Sequence, residues 1–208
     1  VSGTGKLEGS ATSNLTIGGT GILGVLRFEN SSRIRKTLLN LTLNKTGGSG
    51  EATIDGSDSL LVLGTVTLTS GILNTSNKLV LISTSTATAR VAALPAAGAF
   101  SGNVIVQRFV PARPDRRNRL VSSPVNTTGT AITIAQLIDD VNISGPAGAT
   151  NGFDNTSLNR PSIYTYNESV AGSYNFGYVG APTINTPIAT GQGMFVQVRG
   201  NRNSPTLA

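Results

Sequence analysis

The chain has 208 residues, a formal net charge of +6 and only 12% charged residues, whereas an average soluble domain carries about 25%. Gly, Ser, Thr and Asn replace the missing charge. The chain contains no Cys, no His and no Trp. This composition excludes disulfides, Ser-His-Asp and Cys-His catalytic sites, haem and ordinary zinc sites. We therefore expect no cofactor and no metal.

The positive charge is spread thinly along the chain. Each half carries eight Lys or Arg and five Asp or Glu, so neither half is a basic domain of the nucleic-acid-binding kind. No run approaches about 18 apolar residues, so we expect no membrane span. The sequence begins at Val1 without a signal peptide. We expect that one has been removed or that the chain is an internal piece of a longer protein.

Three similar segments, at residues 14–17, 40–43 and 65–68, repeat at offsets of 26 and 25 residues. Apolar and polar residues alternate within each segment, which is the period of a β-strand. One such unit cannot bury its apolar face alone, but stacked coils can. The spacing predicts a parallel β-solenoid with about 25 residues per coil. An antiparallel sandwich is the alternative, because short alternating strands also suit it. The expected columns are Leu15, Leu41 and Val66 inside, Ile17, Leu43 and Leu68 beside them, and Thr16, Thr42 and Thr67 outside.

The composition changes near residue 95. All nine prolines lie at Pro95 or later, and nine of the ten aromatic residues lie at Phe100 or later. The small residues of 92–99 are typical of a connector. We therefore divide the chain into a solenoid at 1–95 and a second domain at 96–208.

Alternating segments in the second part predict an antiparallel β-sandwich-like domain, which could be incomplete at its C-terminus. The segments are 103–110, 162–166, 193–198 and the aromatic stripe Tyr174, Phe176 and Tyr178. Period-two alternation of this kind indicates half-buried strands. The single helix expected in this part lies at 133–140.

Two strings of the second part, RFVPARPDRRNRLVSSPV at 108–125 and FVQVRGNR at 195–202, resemble a β domain of large secreted Bacteroidetes proteins. The preceding TVTLTSGILNTSNKLVLIS is similar to the β-rich repeats that often come before that domain. The sequence departs from the pattern at Asn118, where an aromatic residue is expected, and at Asn201, where Asp is expected. Such proteins leave through the type IX secretion system. The resemblance implies an extracellular or cell-surface location and contact with the secretion machinery during export.

The densest charge feature is an arginine cluster consisting of Arg108, Arg113, Arg116, Arg117 and Arg119. The planar guanidinium fork suits carboxylate, sulfate or phosphate groups on a polymer. The same residues could instead pair with nearby aspartates or pack their stems over aromatic rings. We treat the cluster as a candidate ligand-binding site with both interpretations open.

Acidic residues gather at one predicted turn, where Glu51, Asp55 and Asp58 lie close in sequence. They could form a calcium site or a polysaccharide-cleaving groove, since glycoside hydrolysis needs two carboxylates. A solvated turn is the alternative. The triplet at 58–60 also resembles the Asp-Ser/Thr-apolar site that Bacteroidetes O-glycosylate, with Ser59 as the acceptor.

These patterns together predict a non-enzymatic, extracellular structural or adhesive segment of a larger bacterial surface protein. It would act as a rigid stalk or a fibre-forming scaffold. Its expected partners are other copies of itself, other cell-surface proteins and polysaccharide, but not nucleic acid. The alternative function is a polysaccharide-binding or polysaccharide-cleaving β-helix protein that uses the solenoid face or the arginine cluster.

Overall fold

The computed structural model describes residues 4–47, 50–111, 117–123, 132–138 and 140–198. The chain forms two compact units, residues 1–111 and residues 112–208. Both are built from β-strands, as the sequence predicts. Among the described residues the helical segments are single 3-10 turns, and none is long and apolar enough to cross a membrane. These turns are Ile34–Lys36, Ile134–Leu137, Gly148–Asn151 and Tyr174–Gly177.

The first unit is a parallel β-solenoid of about four turns. In chain order its strands are β1 (Asn14–Gly19), β2 (Val25–Leu26), β3 (Thr37–Leu38), β4 (Asn40–Lys45), β5 (Glu51–Ile54), β6 (Leu60–Val62), β7 (Thr65–Asn74), β8 (Leu79–Leu81), β9 (Arg90–Val91), β10 (Gly98–Ser101) and β11 (Val104–Val106). They form three faces. The first runs β1-β4-β7-β9, the second β2-β5-β7-β10 and the third β3-β6-β8-β11. Every pairing between these strands is parallel.

The register of the first face confirms the predicted columns. Leu41 lies opposite Leu15 on one side and Val66 on the other. Leu43 pairs in the same way with Ile17 and Leu68. The three predicted threonines, which alternate with these residues along each strand, pair with one another in a ladder. Because a shift of one residue would turn every apolar side chain outward, burial of the columns holds the register. Leu41, Leu43, Val66 and Leu68 are fully buried.

One long strand serves two faces of the solenoid. The first half of β7 pairs with β4 and its second half with β5, and the pairing with β4 shifts by one residue after Leu43. The chain turns this corner at Gly71, whose φ is +94°. A Cβ there would lie 2.5 Å from the carbonyl oxygen of Gly50. The corner therefore requires glycine, both for its backbone conformation and for space.

Polar side chains inside the corners bond to backbone carbonyls. Lys45 is 3% exposed, and its Nζ donates a hydrogen bond to the carbonyl oxygen of Gly21. Thr75 is fully buried and donates its hydroxyl to the carbonyl oxygen of Asn103 at 2.7 Å. A buried polar group costs free energy unless it is hydrogen-bonded, so these contacts stabilise the path of the chain at each corner.

Asparagine side chains also link successive coils along the solenoid axis. Asn40 Nδ2 donates to Asn14 Oδ1 at 2.8 Å. Asn40 Oδ1 accepts the backbone N–H of Thr65, also at 2.8 Å. Ser70 Oγ donates to Asn44 Oδ1 at 2.9 Å. One amide thus joins three consecutive coils, because it donates to the coil before and accepts from the coil after.

The solenoid extends past the division that the sequence analysis places at residue 95. Strands β10 and β11 pair in parallel with β7 and β8 and complete a fourth coil. Of the connector-like residues 92–99, those at 92–97 lie between β9 and β10 and the last two begin β10, and the two compact units divide after Pro111. Small residues suit a tight turn of a solenoid as well as they suit a linker, so composition alone does not distinguish the two. Phe100 packs against the solenoid core.

The second unit contains an antiparallel sheet with strand order β12-β15-β13-β14. Its strands are β12 (Arg117–Ser122), β13 (Ile163–Tyr166), β14 (Tyr178–Gly180) and β15 (Gly193–Val198). One face of this sheet covers the unit's core, to which Ile143, Phe153, Ile163, Met194 and Val196 belong. Among the described residues, loops and 3-10 turns cover that core where a sandwich would have a second sheet.

Two local expectations for the second unit are wrong in detail. The predicted helix at 133–140 is the single 3-10 turn Ile134–Leu137, with bonds such as Gln136 N–H to the Thr133 carbonyl. The aromatic stripe begins in another 3-10 turn, so only Tyr178 of its three residues belongs to a strand. Segments of only four residues permit i→i+3 bonding as readily as strand or helix, and tertiary packing decides between them.

The buried columns lead to a stability prediction for Leu43, which is fully buried. Replacing Leu43 by Ala should lower the free energy of unfolding by about 2–5 kcal/mol, because it leaves a cavity between two coils. Urea unfolding followed by circular dichroism measures this. Thr42→Ala, on the outward side of the same strand, is the matched control. An equal loss in both variants would contradict the inward column.

The asparagine link gives a second prediction. Asn40→Ala should cost about 0.5–1.5 kcal/mol, since the N–H of Thr65 loses its acceptor and the Asn14 oxygen loses its donor at part-buried and exposed positions. Asn185→Ala in the second unit is the control, because the Asn185 backbone N–H, not its side chain, makes the bond to Thr183. Thermal unfolding of both variants tests the prediction. An unchanged midpoint for Asn40→Ala would show that the link contributes nothing.

Candidate functional site

Four ion pairs connect consecutive coils at the N-terminal end of the solenoid. They are Lys6–Glu29 at 3.9 Å, Arg35–Glu8 at 3.0 Å, Arg27–Asp55 at 3.0 Å and Lys36–Asp58 at 2.7 Å. Each pair joins residues about one coil apart in sequence. We call this set the ion-pair belt. Each exposed ion pair contributes little to stability, about 0–1 kcal/mol. The main effect of the belt is therefore to hold the carboxylates in fixed positions.

The most enclosed member of the belt is Lys36–Asp58, whose side chains are 21% and 19% exposed. Asp58 Oδ1 accepts from Lys36 Nζ and from the backbone N–H of Ser59, both at 2.7 Å. The hydrogen bond from Lys36 lowers the pKa of Asp58 below its ordinary value, and this effect exceeds the opposing effect of burial. Asp58 is therefore a firmly ionised structural carboxylate.

The other two acids of the predicted acidic turn have separate partners. Asp55 accepts the backbone N–H of Ser57 at 2.9 Å, which lowers its pKa, and it also pairs with Arg27. Glu51 Oε1 accepts from Asn74 Nδ2 at 2.9 Å. The groove beside the belt has a volume of about 250 Å³ and is lined by Lys6, Arg27, Asp55 and Asp58 among others. Among the described residues, no group of three or more acids is placed to hold a metal ion.

The candidate acceptor Ser59 lies directly before β6. It is half-buried, its backbone N–H is bonded to Asp58, and the next residue, Leu60, is fully buried. All three residues of the triplet are therefore held by the fold. O-glycosylation of Ser59 remains a prediction from the sequence resemblance.

The members of the arginine cluster belong to different parts of the molecule. Arg113 and Arg116 lie outside the described residues. Arg108 belongs to the first unit, where it is exposed and donates from Nη1 to its neighbour's carbonyl oxygen at 3.1 Å. Arg117 and Arg119 belong to β12 of the second unit. Arg119 is half-buried, and its Nε is enclosed without a hydrogen-bond partner among the described residues. Ligand binding by the arginine cluster therefore stays a prediction from the sequence.

A second, larger groove lies on the outer face of the antiparallel sheet. Its volume is about 320 Å³, and its lining residues are Leu120, Tyr164, Thr165, Tyr166, Tyr174, Tyr178, Gly193 and Phe195. We call it the aromatic groove. All four tyrosines of the chain line it. None of the lining residues is charged.

Strand register explains why these rings share one face. Phe195 lies opposite both Leu120 and Tyr164, and Tyr166 lies opposite Tyr178. Side chains alternate between the two faces of a strand. Residues such as Ile163 therefore point into the core, while their neighbours in sequence point outward.

The rings hold one another in place and remain open to solvent. Tyr178 packs edge-on against Tyr166, with ring centroids 5.1 Å apart, and against Phe195 at 5.4 Å. Edge-to-face pairs of this kind are favourable. Tyr174 is 71% exposed and Leu120 is 74% exposed. Large apolar patches that are exposed on a protein surface commonly mark interaction sites.

The aromatic groove was not among the sites predicted from the sequence. The concentration of aromatic residues after Phe100 was used to place a domain boundary, and the alternation of Tyr164 and Tyr166 was interpreted as a strand signal. The informative feature is that every tyrosine falls within fifteen positions, from Tyr164 to Tyr178. Strand pairing and the 3-10 turn bring these positions together, and neither can be read from spacing alone.

Comparisons with protein-family models, with curated proteins and with solved structures found no match. The fold alone defines the class: a parallel β-solenoid followed in the chain by an antiparallel β unit. Function is therefore inferred from the chain's own geometry.

The ion-pair belt predicts a pH dependence. The pKa of Asp58 is lowered from an ordinary value of 3.8. Its contribution to stability is therefore present above that value and is lost as the pH falls through the lower folded-state value. Asp58→Asn should destabilise the chain near neutral pH, and the difference from wild type should shrink at about pH 3. Urea unfolding at both pH values measures it. Asp140→Asn, at an exposed position, is the control, and a pH-independent difference for Asp58→Asn would contradict the ion pair.

Proposed function

We propose that the chain is a non-enzymatic structural segment of a larger, extracellular bacterial surface protein, in which the solenoid serves as a rigid spacer. The observation that supports this is the shared register of the buried columns, in which Leu41 and Leu43 each lie opposite apolar residues of the coil before and the coil after. A stack of this kind is a rod whose length grows with the number of coils. Each added coil lengthens the rod by about 4.8 Å, the spacing between paired strands.

The stiffness of such a spacer comes from bonding along its axis. Backbone hydrogen bonds connect every pair of neighbouring coils on three faces, and the asparagine and threonine contacts reinforce them. Proteases need an extended, accessible backbone, and regions with few buried contacts open most readily. The paired coils should therefore resist cleavage, as a segment outside the cell must.

The acids of the solenoid support a structural function over a polysaccharide-cleaving one. All five acidic residues of the first unit have partners: Glu8, Glu29, Asp55 and Asp58 in the ion-pair belt, and Glu51 through hydrogen bonds to Thr53 and Asn74. A glycosidase requires one carboxyl with a raised pKa beside a second carboxylate. Every pKa shift found among these acids is instead downward.

Location and partners form the second part of the proposal. The resemblance of 108–125 and 195–202 to secreted Bacteroidetes proteins supports a cell-surface location and export through the type IX machinery. Among the described strands, β9, β10 and β11 each pair on one side only. Open strand edges are templates for pairing. Copies of the chain or other surface proteins are therefore the partners we propose, and fibre formation follows from such pairing.

Two measurements on the purified chain test the spacer proposal. We expect trypsin to leave the solenoid intact over the time in which it degrades Leu43→Ala, although Lys and Arg residues occur throughout it. We also expect no new reducing ends when the chain is incubated with a panel of polysaccharides. Rapid cleavage within the coils would contradict the rigid spacer, and product from any polymer would contradict the absence of enzymatic activity.

A further inference from the structure

We propose that the aromatic groove binds a neutral polysaccharide built from gluco-configured pyranose rings, which stack on the exposed tyrosines. This inference is independent of the spacer function, since it concerns the second unit and not the solenoid. The groove, as defined above, combines four tyrosines with Phe195 on the outer face of the sheet.

The ring faces match the chemistry of such a sugar. A pyranose whose hydroxyls are all equatorial presents axial C–H groups on both faces, and these carry slight positive charge. The face of an aromatic ring carries the complementary negative charge. Tyrosine adds a hydroxyl that can donate to or accept from the sugar's own hydroxyls. Tyr174 and Tyr166, exposed by 71% and 47%, present the most accessible rings.

The absence of charge selects a neutral polymer. No lining residue of the groove is acidic or basic, although the chain as a whole carries +6. An anionic polymer would find its partners at arginines and not here. Polar contacts next to the rings come from amides. Asn118 and Gln197 pair directly with each other and lie two positions along their strands from Leu120 and Phe195, hence on the same face.

Gly193 keeps the groove open on one side. A Cβ at this position would meet nothing within 4 Å, and its backbone is not in the left-handed region. A side chain there would therefore project into free space beside the rings without straining the strand. This provides a way to fill the groove while leaving the fold unchanged.

The size of the groove favours a sugar over a second protein chain. Its volume of about 320 Å³ falls in the range of small-ligand sites, about 300–1,000 Å³. A stable protein–protein interface buries about 800 Å² on each partner and has a well-packed centre. Eight lining residues on one sheet face suit one or a few sugar rings better than an interface of that area.

The chain supplies its own spectroscopic probe for the test. It contains no Trp, and all four tyrosines line the groove, so tyrosine emission reports on this site alone. We would titrate the full chain with soluble mixed-linkage β-glucan and follow tyrosine emission. Retardation in native gels containing the same glucan gives an independent affinity. Size-exclusion chromatography of the free chain monitors self-association.

Two variants remove the site by different means. Tyr174→Ala deletes the most exposed ring, and Gly193→Leu fills the space beside the rings. Phe176→Ala is the matched control, because Phe176 is 67% exposed in the same 3-10 turn but does not line the groove. We expect each groove variant to weaken glucan binding about tenfold or more, as loss of a binding hot spot does, and the control to bind like wild type.

Three results would overturn the proposal. The first is the absence of both an emission change and gel retardation with β-glucan. The second is binding that Tyr174→Ala, Gly193→Leu and Phe176→Ala leave equally intact, or preferential binding of anionic alginate. The third is a concentration-dependent dimer that Tyr174→Ala abolishes, because a second copy would then occupy the groove. None of these results bears on the protease resistance or the catalytic inactivity that test the spacer.

Discussion

Stacking of like side chains between paired coils is the constraint on which the first unit depends. A coil of this solenoid is too thin to contain a core of its own, so Leu41 or Leu43 is buried only because another coil lies on each side. The backbone pairing and the apolar columns therefore enforce the same register. The corners follow from this requirement: Gly71 and the buried Lys45 and Thr75 occupy places where the chain must turn without interrupting the stack.

The second unit meets a different requirement with the same kind of strand. Its sheet has one face on a core and one facing water, and the water-facing side carries rings where polar side chains would serve solubility better. Tyr178 is held between Tyr166 and Phe195, so the rings form an ordered surface and not a scatter of exposed apolar groups. An ordered aromatic surface favours binding, because its side chains lose less conformational entropy when a ligand binds.

The structure could be predicted from the sequence where a pattern repeats along the chain, but not where tertiary packing decides between alternative local structures. The threonine and leucine columns could be aligned residue by residue, because a 25–26-residue offset and a period of two leave a single register. The end of the solenoid could not, since small residues at 92–99 fit either a linker or a turn. The 3-10 turn at Tyr174–Gly177 is joined to the end of β13 by a hydrogen bond from the Asn167 N–H to the Gly177 carbonyl oxygen, which no local pattern predicts. The aromatic groove depends on that turn and on antiparallel pairing, so spacing alone could not reveal it.

The ion-pair belt makes the solenoid electrically uneven along its axis. The four pairs lie between the earliest coils, while contacts between neutral side chains and backbone, such as Asn103 N–H to Asn77 Oδ1, join the later ones. Added electrolyte shortens the range over which exposed charges attract, to about 10 Å at 0.1 M and about 3 Å at 1 M, and leaves neutral bonds nearly unchanged. In a stack stabilised by nearest neighbours, one end can therefore loosen before the other. A rise in ionic strength therefore weakens this rod from one end, and fraying in concentrated salt should begin at the coils nearest Lys6.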